Sequence, residues 1–305
     1  MRRRTCIAGM VVFAAASRSE AATQDGKARV RVPANVDGDL ANVEATVDGK
    51  PAKVLRLSGP SDDLLILVVL DLTGDIAAIE AARQGVAAQM RDLPENVWIS
   101  VLKAQDQLGV LVDPGPDREA ALRAINEYSA IGKAGLLDTV DGAAVLGDRL
   151  LDKTPVRVSV IYLTDSNVYN YREDFANPVI NSSDSHDLSR RFPDQLVREK
   201  ISKLTDRLLR TETPISIVHL QYRSDAINEA YQRGLEQMAQ ATGGTALICR
   251  SLAEVAESVE RVFTFCRNQW SVFVELPEGK GRNVMVTLRA PERAISYRER
   301  FSFRR

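Results

Sequence analysis

Cysteine and histidine are scarce in this chain, whose 305 residues hold three of the first and two of the second. So few thiols exclude a disulfide scaffold at this length. Two scattered histidines, His186 and His219, do not make a zinc site with cysteines as far apart as these. Aromatics stand at only 6%, and no apolar run reaches the roughly 20 residues of a membrane-spanning helix. Neither charge sign dominates, since 40 basic side chains face 41 acidic ones. That balance excludes nucleic acid as a bulk partner, because phosphate binding needs a strong basic excess. A GxGxxG fingerprint, a phosphate loop and a GxSxG elbow are all missing, so dinucleotide binding and hydrolase chemistry of those kinds have no support. What remains is ordinary globular composition, 45% apolar and 27% charged, long enough for one large or two smaller domains.

The first 22 residues stand apart. Arg2, Arg3 and Arg4 make a positive start, Cys6 to Ala16 is an apolar stretch, and Ser19-Glu20-Ala21 offers small residues at the two positions a signal peptidase reads. The pattern predicts a secretory signal and an exported protein, periplasmic or extracellular. A short anchor or a frayed N-terminal helix is the competing reading. Cleavage after Ala21 removes four arginines and one glutamate and leaves a slightly acidic chain. Cys249 and Cys266 remain, separated by a helix predicted from Leu252 to Cys266. That helix rises about 21 Å, whereas a disulfide needs α-carbons within roughly 7 Å. Two free thiols are expected.

Apolar periodicity divides the rest. Residues 28–57 alternate with period two, with Asp48-Gly49 as a hairpin turn between two runs. The centre alternates continuous apolar strands, Leu64 to Leu70, Arg157 to Leu163, Ile215 to Leu220 and Thr245 to Cys249, with helix-period segments. Val97 to Ala104 and Leu108 to Val112, joined by a tight reversal, add an antiparallel edge strand. The chain ends in strands again: Val272 to Leu276, Val284 to Leu288 and Ser296 to Phe303. The fold class expected is α/β, a doubly wound and mostly parallel sheet. It would be inserted in a small β-rich domain made from both chain ends, residues 23–60 plus 268–305 around 61–267. Neither end alone has strands enough for a stable core.

Ligands of such sheets bind beyond the carboxyl ends of the strands, where strand order reverses. There the sequence places Asp71-Leu72-Thr73-Gly74-Asp75 after one strand and Thr164-Asp165-Ser166 after another. Three carboxylates and a hydroxyl converging on one crevice suit a hard divalent cation, and Mg²⁺ uses one or two carboxylates and keeps several waters.

These residues resemble the metal-ion-dependent adhesion site of von Willebrand factor A domains, a DxSxS motif completed by a later threonine and aspartate. Asp71 matches the first aspartate, Thr73 replaces the first serine, Asp75 stands at the second serine, and Asp165 matches the later aspartate. Gly132-Lys133-Ala134-Gly135-Leu136-Leu137-Asp138 resembles the family's GGTALYD segment and puts Ala134 at the threonine. Thr139 lies five residues on, inside the next helix. Asp48-Gly49-Lys50-Pro51, the Gly234 to Gly244 segment and Asn268-Gln269-Trp270 look like exported bacterial proteins with this domain, notably the acidobacterial-type subgroup. The resemblance covers nearly all of the mature chain. It implies a protein-binding, adhesion-type module in which Asp71, Thr73, Asp75 and Asp165 hold a divalent cation, Mg²⁺ or else Mn²⁺ or Ca²⁺. An acidic side chain of a protein partner would complete the shell.

Asp75 admits a second reading, as the N-cap of the helix that follows, and the module is then a metal-free scaffold. A Mg²⁺-dependent phosphoryl-transfer enzyme is a third reading, weakened because Thr73 sits where DxDxT enzymes need an acid. No nucleophile–base pair supports turnover. The segment from Ser166 to Phe192 lacks helical period and exceeds the usual loop length. Tyr169, Tyr171 and Phe175 give it partner-binding anchors. Arg298, Arg300 and Arg304 read as a solvated strand face, and His219 as a half-buried strand residue. On the export reading, chain recovered from a periplasmic fraction begins at Ala22 by N-terminal sequencing; intact Met1 chain confined to the cytosol removes it.

Overall fold

The computed structural model describes residues 28–171, 193–278, 283–291 and 293–303. The expected signal segment, residues 1–22, lies outside them, as do Phe175, His186 and Arg304.

Four short strands come first: β1 (Arg29–Val36), β2 (Glu44–Val47), β3 (Lys50–Ala52) and β4 (Val54–Ser58). β2 and β3 form the hairpin expected at Asp48-Gly49. Val47 pairs with Lys50, and the two turn residues have φ of 50° and 77°, as a two-residue type I′ turn requires. The α/β centre then runs β5 (Leu64–Asp71), α1 (Ile76–Arg91), β6 (Val97–Lys103), β7 (Gly109–Gly115), α2 (Arg118–Glu127), α3 (Leu136–Lys153) and β8 (Arg157–Thr164). It continues with α4 (Pro193–Leu208), β9 (Ile215–His219), α5 (Ala226–Thr242), β10 (Ala246–Ile248) and α6 (Ala253–Asn268). Last come β11 (Trp270–Glu275), β12 (Asn283–Arg289), β13 (Ile295–Tyr297) and β14 (Arg300–Ser302).

The central sheet has the order β10-β9-β8-β5-β6-β7, parallel except for β7. This is the doubly wound α/β fold expected, with its antiparallel edge. β5 and β8 are buried at every position, because helices cover both faces and alternation has no solvent side to serve. α1, α2 and α6 pack on one face around Ile66, Val68 and Phe263. On the other, α3, α4 and α5 pack around Leu67, Val69 and Tyr162. Strand order reverses between β5 and β8, which opens a crevice at their carboxyl ends.

Two antiparallel sheets, β13-β1-β11-β4 and β14-β12-β2-β3, interleave strands from both chain ends around Val32, Val272 and Val286. Arg157 joins them to the centre. Its buried guanidinium donates through Nη1 to the Gln269 and Arg267 carbonyls (2.7 and 3.0 Å) and through Nη2 to those of Asp62 and Pro60 (3.0 and 3.3 Å). Those carbonyls flank the points where the chain enters and leaves the α/β centre.

Two expectations are corrected. The strand expected over Ser296–Phe303 is broken at Arg298 and Glu299, and Arg298 is buried rather than solvated. Its guanidinium turns inward to donate to Thr211 O (2.5 Å) and Leu209 O (2.6 Å), with Phe301 stacked 4.1 Å away. Carbonyls just past the end of α4 lack intrahelical donors, and the arginine supplies them. His219 is fully buried, not half-buried. The two described cysteines, Cys249 and Cys266, are free and buried, as expected.

Arg157→Met leaves four carbonyls, that of Gln269 buried among them, short of a charged donor, so a loss of roughly 2 kcal/mol or more is expected. Urea denaturation measures it; a midpoint within error of the parent's would show that the junction does not depend on this side chain.

Candidate functional site

β5 delivers Asp71 to the crevice fully buried. Its Oδ1 accepts from Gly135 N (2.7 Å), and its Oδ2 from Thr164 Oγ1 (2.8 Å) and Leu136 N (3.3 Å). Gly135 is the N-cap residue of α3 and has no side chain to offer the helix. Asp71 therefore caps α3 from a different strand, where the positive end of the helix dipole favours an anion. Only glycine fits at 135, since a Cβ there would run into the Ala104 carbonyl oxygen.

Asp165 follows β8, and its own N–H donates to Asp71 O at 3.2 Å. Its carboxylate accepts from Thr73 N (2.8 Å) and Gly74 N (2.5 Å), which folds the loop after β5 over the crevice. Thr73 is half-buried beside it. Asp75 is exposed and caps α1, its Oδ1 accepting from Ala77 N (2.8 Å) and Ala78 N (3.4 Å). Ala134 is buried and brings no oxygen. Thr139 is turned to the back of the site, donating to Gly135 O (2.6 Å) and meeting Tyr162 OH (3.2 Å).

The chain thus brings Asp71, Thr73 and Asp165 together and sends Asp75 to a helix end. Tyr169, in a short 3₁₀ turn over Val168–Tyr171, is 46% exposed and donates to Asp225 Oδ1 at 3.3 Å. Tyr171 ends that turn, and Phe175 lies outside the described residues.

A polar shell that the sequence reasoning missed supports the pair. Ser166 Oγ lies between Thr164 Oγ1 (2.7 Å) and Tyr231 OH (2.9 Å). His219 Nε2 donates to Ser166 O (2.7 Å), with the Tyr231 ring edge-on. On the other side Tyr128 OH reaches Leu70 O (3.2 Å), and Gln105 Nε2 donates to Leu72 O (2.8 Å). Thr164 and Ser166 flank Asp165 in sequence, which was the available signal. Tyr128, Tyr231 and His219 carried none, because a polar tip on an apolar body reads as core.

Burial is the largest influence on both carboxyls. It pushes Asp71 up to about 6, against the hydrogen bonds from Gly135 and Thr164 and with help from neighbouring Asp165. Asp165 is also raised by burial, opposed by the Thr73 and Gly74 amides. Among the described residues, no recorded ion pair involves either carboxylate, and no three His, Cys, Asp or Glu side chains are grouped to hold a metal ion. Two carboxylates and a hydroxyl are the oxygen donors on offer. They fit a hydrated hard cation, with water in the remaining positions.

The buried acids give a signed pH dependence. A folded-state pKa above the unfolded one means that the native state holds more protons between the two, so Asp71 lowers stability as pH rises from about 4 to about 6. His219 opposes it: burial lowers its pKa from 6.5 to about 4, so its contribution falls as pH drops through 6.5. In chelator, Asp71→Asn removes the first effect alone. Relative to the parent, its stability should rise by roughly 2–3 kcal/mol between pH 4 and 6.5 in urea titrations. A pH-independent difference would mean that Asp71 titrates normally.

No protein-family model matches this chain, and no curated protein does. Solved structures are similar to it. A point mutant of the PilB minor pilin from Streptococcus sanguinis matches with a TM-score of 0.50 and 10% identity, over 68% of this chain and 62% of that one. A von Willebrand factor type A from Catenulispora acidiphila gives 0.44 and 12%, over 92% and 74%. Proximal thread matrix protein 1 from the mussel byssus, with a zinc-occupied adhesion-site motif, gives 0.45 and 14%, over 71% and 48%. At such identities the likeness is one of fold alone, a mostly parallel sheet between two layers of helices.

Proposed function

We propose that this chain is a non-enzymatic protein-binding module that docks a partner on the crevice at the carboxyl ends of β5 and β8. The observation that carries this reading is two large apolar side chains left in water at the crevice rim. Ile76, first residue of α1, is 83% exposed, and Ile131, in the loop leading to Gly135, is 85% exposed. Both adjoin segments that hold the carboxylate pair, Ile76 beside Asp75 and Ile131 in the loop that leads to Gly135, and Tyr169 lies on the turn that follows Asp165. Exposed apolar groups around a polar centre mark interaction sites.

In the first form of this reading, Asp71, Thr73 and Asp165 hold a divalent cation, Mg²⁺ or else Mn²⁺ or Ca²⁺, and an acidic side chain of the partner approaches it. Asp75 serves as the helix cap. Support comes from two buried carboxylates that have no recorded ion pair among the described residues, a charge that a cation would neutralise. The second form is metal-free. It is favoured by the hydrogen bonds already made by all four carboxylate oxygens and by the methyl group of Ala134. Export, of the acidobacterial-type kind, belongs to the same reading and rests on the Arg2 to Ala21 sequence pattern.

Thermal unfolding with Mg²⁺ against chelator separates the two forms. At a hundredfold excess over the dissociation constant, a real site adds about 2.7 kcal/mol, and Asp165→Ala should abolish the gain. No shift with Mg²⁺, Mn²⁺ or Ca²⁺ at millimolar concentration leaves the metal-free form. For docking itself, Ile76→Asp combined with Ile131→Asp should keep the parent's melting temperature and lose the protein that the parent captures from an envelope extract. Undiminished capture would place the interface elsewhere.

A further inference from the structure

The six-stranded sheet ends in two unlike edges. β7 is guarded: it contains Asp113 and Pro114, and its register against β6 shifts twice. Charge, proline and irregularity of this kind discourage strand addition. β10 has only its shortness. Its residues Ala246, Leu247 and Ile248 are apolar, and each is half-buried.

The ladder shows which backbone groups of β10 are spent. Ile217 N–H donates to Thr245 O and Cys249 N–H to His219 O, each at 2.8 Å. In the parallel register Leu247 lies opposite Val218 and bonds the same two β9 residues, Ile217 and His219. Alternation along the strand then turns the N–H and C=O of Ala246 and Ile248 away from β9. Among the described residues, no recorded bond uses these four groups. A cavity of about 320 Å³ runs beside them, walled by Glu229, Arg233 and Glu236 of α5 and by Tyr222 and Arg250. The Glu229–Arg233 pair (3.4 Å) and the stacking of Arg250 on Tyr222 (5.3 Å) give these charges partners of their own.

We propose that the free edge of β10 pairs with the same edge of a second copy of this chain, antiparallel about a two-fold axis through Leu247. The outward groups flank Leu247 symmetrically, so the axis sets Ala246 opposite the partner's Ile248 and Ile248 opposite the partner's Ala246. Both are hydrogen-bonded positions, and the edge is its own complement, as an isologous contact requires. The wall carries two acids and two bases, so two copies meet without excess charge. The central sheet becomes continuous across the pair, and its open hydrogen-bonding groups are satisfied.

Sedimentation equilibrium of the full chain from low to high micromolar concentration should give twice the chain mass at the upper end. Ala246→Pro and Ile248→Pro each delete an outward N–H and leave the bonds to β9 in place, as proline on an edge strand can. Each should weaken association at least tenfold with an unchanged circular dichroism spectrum. A chain that stays monomeric throughout, or proline variants that fold and pair like the parent, would overturn the proposal. Amide exchange of the unsubstituted chain covers variants that fail to fold. The Ala246 and Ile248 amides should exchange more slowly in the concentrated sample, and equal rates would overturn it as well.

Discussion

Asp71 carries its carboxylate out of water at the place where neighbouring strands lead to opposite sides of the sheet, and three separate elements meet on it. An ion moved from water into a protein interior is costly unless hydrogen bonds replace its hydration. Here the replacements are two amides at the start of α3 and the hydroxyl of Thr164 on β8. The same bonds that offset the desolvation tie β5, β8 and α3 to one another. The start of α3, and with it one wall of the crevice, is therefore held in place by one side chain.

Asp165 repeats the device one strand over, drawing the loop after β5 across the crevice with the Thr73 and Gly74 amides. Two acids side by side disfavour joint ionisation. The site thus has loops tied by hydrogen bonds, two acids in its interior and exposed isoleucines, Ile76 and Ile131, on the adjoining segments.

The β-rich layer has a different dependence. Its sheets take strands from both ends of the chain, so neither end completes them alone. Arg157 registers that closure by bonding carbonyls on both crossings. A guanidinium suits the task, because its planar fork presents several donors in fixed directions and carries its charge at any ordinary pH.

Much of this was legible in the residues. Continuous apolar runs such as Leu64–Leu70 admit little but a strand covered on both faces, and Asp48-Gly49 admits a particular turn. The acids at Asp71 and Asp165 could be placed at strand ends from the same runs. Asp75 was ambiguous between ligand and cap, because an aspartate oxygen serves either purpose and only the geometry of the α1 amides chooses. Arg298 was misread for the opposite reason: alternation predicts a solvated face, and nothing local announces the Leu209 and Thr211 carbonyls that it turns inward to meet.

By itself the sequence determined the order of elements, the parallel sheet and which acids end which strands, since these follow from apolar periodicity along the chain. Tertiary structure alone decided which amides those acids bind, that Tyr231 and His219 buttress the crevice, and that β10 is left with an open edge. Such features depend on segments far apart in sequence meeting at hydrogen-bond distance, and short-range pattern carries no record of that meeting.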